Sequence, residues 1–189
     1  MTRDLVILPA TVPGDATYGS TPDHVADHPD WRVHQVRFPR QVWYNAAIRR
    51  QAADQIRAMR LRSFVLVGFS KSGLGAINLM RELGDSVAAT IVFDAPVARS
   101  ITYPGDAADF YADDRTWRDD LPLTHAAALA PTLGPTHRLI LISGANFHDE
   151  MATFSHRLTE LHADHTFLPR PRMAHHWQAG WLSQALSLL

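Results

Sequence analysis

Short apolar runs alternate along the chain with stretches in which apolar residues recur every three or four positions. The runs predict about six strands: Leu5–Leu8, Trp31–Phe38, Phe64–Val67, Ala89–Phe93, Arg138–Ser143 and His165–Leu168. The periodic stretches predict helices over 45–60, 73–83, 149–162 and a C-terminal helix carrying Trp177, Trp181, Ala185 and Leu188. Strands that alternate with helices form βαβ units. The sequence therefore predicts an α/β fold with a mostly parallel sheet and helices on both faces.

One segment, residues 95–136, interrupts this alternation. It contains no clear strand, and it carries four aromatic residues among acids, in "YPGDAADFYADDRTWRDDLP", before a helix-like "THAAALA" that Thr124 could cap. Loops this long within a compact domain are usually functional or mobile. We expect a single domain over 1–189, in which 95–136 is either a cap or lid over a site or a solvated excursion anchored by its rings.

Composition narrows the function classes. The chain has 189 residues, of which 46% are hydrophobic, enough for one domain with a core. The net charge is −1 with both signs scattered, so no nucleic-acid partner is expected. No cysteine is present, which excludes disulfides and thiolate chemistry. The eleven histidines show no ligand spacing, so neither a metal nor a cofactor is expected.

The same chain offers no sign of a membrane segment. No apolar run is long enough to cross a bilayer, and the first apolar stretch, "LVIL", is too short for a secretory signal and is followed by Pro9. We expect a cytoplasmic protein that does not bind membranes and acts on a small molecule. The sequence leaves its oligomeric state open.

The stretch "FVLVGFSKSGLGA", Phe64–Ala76, joins an apolar strand to an apolar helix through a turn of small residues. Such a turn either cradles a dinucleotide or presents a serine nucleophile. Gly68–Gly73 is one residue from the dinucleotide fingerprint, and Asp94 ends the next strand where an acid would bind a ribose hydroxyl. The mismatch falls at Ser70, whose Cβ would obstruct the approach of a pyrophosphate.

The nucleophile interpretation fits the same turn better. It requires small residues two positions before and after the serine, and Gly68 and Ser72 occupy those positions around Ser70. The strained turn then projects the hydroxyl above the sheet. The start of the following helix also offers N–H groups to an oxyanion.

At this point the chain resembles the α/β-hydrolase family. The serine follows the third strand, acids follow later strands and histidines follow the last strand, which is the family's order. The phrases "GFSKSGLGA", "FDAP" and "HHWQAGW" are also similar to those of small bacterial hydrolases. The resemblance implies a minimal α/β-hydrolase that lacks the family's first two usual strands.

The resemblance also implies a set of site residues. Ser70 is the expected nucleophile, and His175 in an H-x-W arrangement is the expected base, with His176 as the alternative. The acid is either Asp94, which directly follows five apolar residues in "VFDAP", or Asp149, which follows the strand that the family uses more often. We favour Asp94 slightly, because a carboxylate at the end of a buried strand needs a reason to be there.

The oxyanion hole would use the backbone N–H of Lys71 and one from the loop after the first strand, "LPATVPGD". Pro9 has no N–H, so Ala10 or Thr11 is the expected second donor. The expected function is hydrolysis of an ester or thioester of a small to medium acyl group. The alternatives are an NAD(P)-binding oxidoreductase and a non-catalytic, hydrolase-like binding protein.

Overall fold

The sheet of this protein has six strands, as the sequence predicts. The structure is a computed structural model, and it describes residues 3–10, 30–98, 105–177 and 180–189. The strands are β1 (Arg3–Ile7), β2 (Trp31–Gln35), β3 (Phe64–Phe69), β4 (Val87–Phe93), β5 (Arg138–Ile142) and β6 (Thr166–Leu168). They lie in the order β2-β1-β3-β4-β5-β6, and every neighbouring pair is parallel. All six strands therefore end at the same edge of the sheet, where loops can bring side chains together.

Helices cover both faces of this sheet, which confirms the predicted fold class. The helices are α1 (Ala46–Ala58), α2 (Lys71–Leu83), α3 (Asp114–Asp119), α4 (Ala126–Leu129), α5 (His148–Glu160) and α6 (Trp181–Leu186). Alternate residues of each strand point to opposite faces. In β3, Leu66 packs in the cluster that contains α1, α2 and α5. Its neighbours Val65 and Val67 pack in the cluster that contains α6. No helix in the described ranges is long and apolar enough to cross a membrane.

The C-terminal helix is shorter than its apolar stripe predicts. It begins at Trp181, after Gly180, whose φ of 83° places it in the left-handed region that interrupts a helix. Trp177 therefore precedes the helix instead of opening it. Leu188 follows the helix and is one of the exposed apolar residues, at 38% exposure.

The described part of residues 95–136 is helical, with short 3₁₀ turns around α3 and α4 and no strand. The Thr124 hydroxyl donates to the Arg118 carbonyl and does not cap α4, so the predicted cap is wrong. Instead, the Asp113 side chain caps α3 by accepting from the Thr116 N–H at 2.7 Å. Trp117 of α3 is buried and anchors the segment on the domain. Another of the four aromatic residues, Tyr103, lies outside the described residues.

Candidate active site

Ser70 occupies a sharp turn between β3 and α2. Its φ of 54° and ψ of −128° are a conformation that a residue with a side chain rarely adopts, so the turn is strained. Its N–H donates to the Phe93 carbonyl at 2.9 Å, which ties the turn to β4. Two positions earlier, Gly68 leaves room for the chain to fold back, since a Cβ there would lie 2.3 Å from the Ser72 carbonyl oxygen.

Ser72, the small residue two positions after Ser70, closes this turn with its side chain. Its hydroxyl accepts from the Phe69 N–H and donates to the Phe69 carbonyl, both at 2.9 Å. The side chain is fully buried, and its hydrogen bonds satisfy the hydroxyl. Serine at this position therefore holds the turn in shape.

The structure brings Ser70, His175 and Asp94 together from three different loops. His175 Nε2 lies 3.0 Å from Ser70 Oγ, and His175 Nδ1 lies 2.6 Å from Asp94 Oδ2. An ionised carboxylate can only accept, so Nδ1 carries the proton and Nε2 offers its lone pair to the serine hydroxyl. The three side chains thus form a continuous hydrogen-bonded chain, and the imidazole is in the tautomer that can accept the serine proton.

Asp94 is fully buried and surrounded by donors. Its Oδ1 accepts from the backbone N–H groups of Gly144 at 2.8 Å and Phe147 at 2.9 Å, and its Oδ2 also accepts from Asn146 N–H at 3.3 Å. Together with His175, four N–H groups satisfy a charge that would otherwise be costly to bury. The loop after β5 thus supplies most of the environment of an acid that follows β4.

Gly144 makes this close wrapping possible. A Cβ at this position would lie 2.5 Å from Asp94 Cγ, a distance at which the loop or the carboxylate must shift. The same loop is joined to the loop that carries His175, because the Ala145 N–H donates to the Met173 carbonyl at 2.8 Å. The apolar pattern did not predict that this loop donates to the acid. A glycine immediately after the apolar strand, in "LISGANF", was the signal available for it.

The His175 imidazole is also held by aromatic contacts. Its ring centroid lies 4.8 Å from that of Phe69 and 5.4 Å from that of Phe147. Only about a tenth of its side chain is exposed. These contacts restrict the ring to an orientation in which both nitrogens are engaged.

The two alternative site residues lie outside this hydrogen-bonded chain. Asp149 is exposed in the first turn of α5, a position where an acid suits the helix dipole. Its backbone carbonyl accepts from the Thr153 hydroxyl. His176 is exposed beside His175 and makes neither of the contacts that join Ser70 to Asp94.

The loop after β1 reaches the same edge of the sheet as Ser70. Ile7 pairs with Val67 in the β1–β3 ladder, so Ala10 and Ser70 each lie three residues beyond paired positions. Ala10 is buried, and Thr11 lies outside the described residues. The phenol of Tyr44 fixes this loop by donating to the Pro9 carbonyl at 2.7 Å.

The residue after Ser70 contacts an aromatic ring of the loop after β2. The Lys71 ammonium lies 5.1 Å from the centroid of the Trp43 ring, a cation–π contact. Tyr44, the neighbour of Trp43, is fully buried, and burial raises the pKa of its phenol well above 10. Tyr44 therefore remains neutral and acts as a donor.

Within the described ranges, no group of three or more histidine or acidic side chains is placed to hold a metal ion.

Comparisons with known proteins identify the fold. No protein-family model matches the sequence, and no curated protein matches it. Similar solved structures include an arylesterase (13% identity, 90% of this chain and 67% of that one, TM-score 0.59). They also include a lipase/esterase from Lactobacillus plantarum, which is 13% identical over 100% of this chain and 86% of that one, with a TM-score of 0.62. A dipeptidyl peptidase 4 from Porphyromonas gingivalis is similar too, with 12% identity over 99% of this chain and 30% of that one and a TM-score of 0.59. This chain therefore spans under a third of the length of the peptidase. The chain has the α/β-hydrolase fold, as its motifs predict.

Proposed function

We propose that this protein is a serine hydrolase that cleaves an ester or thioester of a small to medium acyl group. The observation that carries the proposal is the hydrogen-bonded chain from Ser70 Oγ through His175 to the buried Asp94. A nucleophile, a base and an acid that orients the base are the groups that acyl transfer through an acyl-enzyme requires. The neighbouring solved structures named as esterases add support at the level of fold.

In the first half of the reaction, His175 Nε2 takes the proton of the Ser70 hydroxyl while Oγ attacks the substrate carbonyl carbon. The backbone N–H groups of Lys71 and of Ala10 or Thr11 donate to the resulting oxyanion. Asp94 stabilises the imidazolium through Nδ1–H. His175 then passes its proton to the leaving alkoxide or thiolate, the carbonyl–oxygen or carbonyl–sulfur bond breaks, and the acyl group remains on Ser70.

In the second half, water replaces the leaving group. His175 takes a proton from water, and the hydroxide oxygen attacks the acyl-enzyme carbonyl. The tetrahedral intermediate collapses, the proton returns to Ser70 Oγ, and the carboxylic acid product leaves. No cofactor enters either half of this reaction.

The geometry weighs against the two alternatives. In a dinucleotide site the acid after the neighbouring strand would bind a ribose hydroxyl, whereas Asp94 is fully buried and already accepts four N–H groups. A non-catalytic binding protein would not need a strained serine in contact with an oriented imidazole. Both features are present here at Ser70 and His175.

Labelling with a fluorophosphonate probe tests the proposal. We expect stoichiometric labelling of the wild type and none of Ser70→Ala. His175→Ala should lose labelling, and Asp94→Asn should slow it by on the order of 10³–10⁴-fold, because the imidazole loses the tautomer it needs. Hydrolysis of a p-nitrophenyl ester should change in parallel.

The exposed neighbours provide matched controls. His176→Ala removes an imidazole one residue from His175. Asp149→Asn neutralises a carboxylate in the first turn of α5. Both variants should retain most of the labelling rate. A folded wild-type protein that is not labelled, or a loss of labelling in His176→Ala but not in His175→Ala, would overturn the proposal. A rise in melting temperature on adding NAD would instead favour the dinucleotide alternative.

A further inference from the structure

The Lys71 side chain is held at a defined place beside Ser70. Its ammonium lies over the Trp43 ring at 5.1 Å, and its side chain is half-buried. Trp43 itself is only 7% exposed and packs edge-on against Trp117 of α3, with ring centroids 5.0 Å apart. The ammonium therefore contacts a ring that Trp117 holds in place. Because the Lys71 side chain is already ordered, it loses little conformational entropy when the ammonium binds an anion. Lys71 is also the only lysine of the chain.

The order of the strands places the loops that carry Trp43 and His175 on opposite sides of β3, the strand that leads into Ser70. His175 belongs to the loop after β6, and reaches Ser70 from the side of β4, β5 and β6. Trp43 belongs to the loop after β2, on the side of β1 and β2. His175 must protonate the leaving group, so the leaving group lies on its side of the serine. The acyl group then extends toward Trp43 and Lys71.

A second polar group at the same contact points to an acceptor on the ligand. Trp43 is more than nine-tenths buried, and within the described residues its indole Nε1–H has no hydrogen-bond partner. A buried donor without a partner carries an energetic cost that an acceptor would relieve. The Lys71 ammonium carries three N–H donors, the kind of group that pairs with a ligand carboxylate.

We propose that the acyl group of the substrate carries a carboxylate and that Lys71 determines this specificity. This proposal rests on the proposed serine hydrolase activity. The substrate class is a half-ester or half-thioester of a short dicarboxylic acid. One carboxyl group of the acid forms the ester or thioester that Ser70 attacks. The other pairs with the Lys71 ammonium beside the Trp43 indole.

The test compares two p-nitrophenyl esters of equal chain length, the half-ester of glutaric acid and the ester of pentanoic acid. The readout is the ratio of their kcat/KM values within each protein, which cancels any general effect on the catalytic turn. We expect the wild type to prefer the half-ester. Lys71→Met should lower the ratio by about tenfold or more, the contribution typical of a hydrogen bond to a charged group. Lys71→Arg should retain most of the preference, because it keeps the charge.

Arg40→Met is the matched control, because Arg40 is a cation that also lies over an aromatic ring, that of Phe110 in the 95–136 segment. It should leave the ratio unchanged. Trp43→Phe keeps a ring beneath the ammonium and removes the N–H, so it should lower the ratio by less than Lys71→Met does. A wild type that prefers pentanoate, or a ratio that does not change in Lys71→Met, would overturn the proposal.

The fluorophosphonate experiment separates the two levels of failure. If the wild type is labelled at Ser70 and the ester ratio does not depend on Lys71, the assignment of specificity is wrong and the hydrolase proposal is unaffected. If the wild type is neither labelled nor active on either ester, both proposals fail together. A protein that is labelled but cleaves neither ester also contradicts the dicarboxylate assignment.

Discussion

At the scale of single residues, the candidate site concentrates backbone strain at two adjacent strand ends. Ser70 follows β3 with a φ of 54°, and Asp94 follows β4 with a φ of 36°. Non-glycine residues in this region of φ cost roughly 1–3 kcal/mol each, and they persist where the surroundings determine them. Here the surroundings are hydrogen bonds: Ser70 N–H to Phe93, and Asp94 N–H to the Ile142 carbonyl at 2.8 Å.

Gly144→Ala should disturb this site without changing any polar group. Its Cβ would lie 2.5 Å from Asp94 Cγ, so the loop must move away and weaken the N–H donation to the carboxylate. We expect kcat/KM for a p-nitrophenyl ester to fall by about tenfold or more, because His175 loses its orientation. Steady-state kinetics and the rate of fluorophosphonate labelling would measure the effect.

Gly134→Ala is the control for that substitution. Nothing lies within 4 Å of a Cβ built at Gly134, which precedes β5 at the opposite edge of the sheet. This variant should keep wild-type kinetics. Equal losses in the two variants would mean that crowding against Asp94 is not the cause.

At the scale of elements, an ion network fastens the 95–136 segment to the domain. The Arg49 guanidinium of α1 binds Asp120, just after α3, at 2.6 Å and Glu82 of α2 at 2.8 Å. Tyr111 also donates to Asp120 at 2.8 Å. Burial lowers the pKa of Arg49, but its hydrogen bonds with Asp120 and Glu82 outweigh that effect and raise it. The cation is thus retained at the junction of three helices.

Arg49→Met should loosen this junction. It leaves Asp120, whose side chain is only 14% exposed, without its cation. Breaking such a pair costs about 3–5 kcal/mol in the free energy of unfolding. Urea unfolding would measure it. Arg115→Met is the control, because Arg115 of α3 reaches Asp119 at 3.8 Å on the exposed surface, where a pair contributes about 0–1 kcal/mol. Similar losses in both variants would contradict a role for burial.

At the scale of the whole molecule, two apolar layers enclose the sheet, and one polar side chain is buried at the start of β5. His137 is 7% exposed, and its Nε2 lies 3.2 Å from the Thr90 hydroxyl of β4. Burial lowers the pKa of His137 below its usual 6.5, because the charged form loses solvation. The folded state thus holds this imidazole neutral over a range of pH in which the unfolded chain already protonates it.

This pKa shift makes stability fall with acid in a defined range. Above pH 6.5 both states are neutral and the shift has no effect. As the pH falls below 6.5 toward the lower folded pKa, the unfolded state binds the proton first and the free energy of unfolding decreases. His137→Gln should therefore lose less stability than the wild type between about pH 8 and about pH 5 in urea titrations. Equal losses of stability in the two proteins over this range would show that His137 does not cause the pH dependence.

Much of the fold could be predicted from local pattern. The central strands β3 and β5 carry the uninterrupted apolar runs that a parallel sheet with covered faces requires, and α2 and α5 follow apolar periodicity. Element ends were less predictable. A glycine with positive φ, Gly180, delays the C-terminal helix, and Thr124 bonds back to Arg118 instead of capping α4. Such ends depend on contacts that an apolar pattern does not encode.

Strand, turn and helix signals are local, so the six strands, the Ser70 turn and the short set of side chains able to accompany it were predictable from the sequence. It left two acids and two adjacent histidines open, since a side chain's partners depend on how distant loops meet. Only the tertiary structure brings Asp94 and His175 to Ser70 and leaves Asp149 and His176 exposed. This follows because parallel strands end at one edge of the sheet, where the loop after β5 encloses the carboxylate and the loop after β6 places the imidazole beside Ser70.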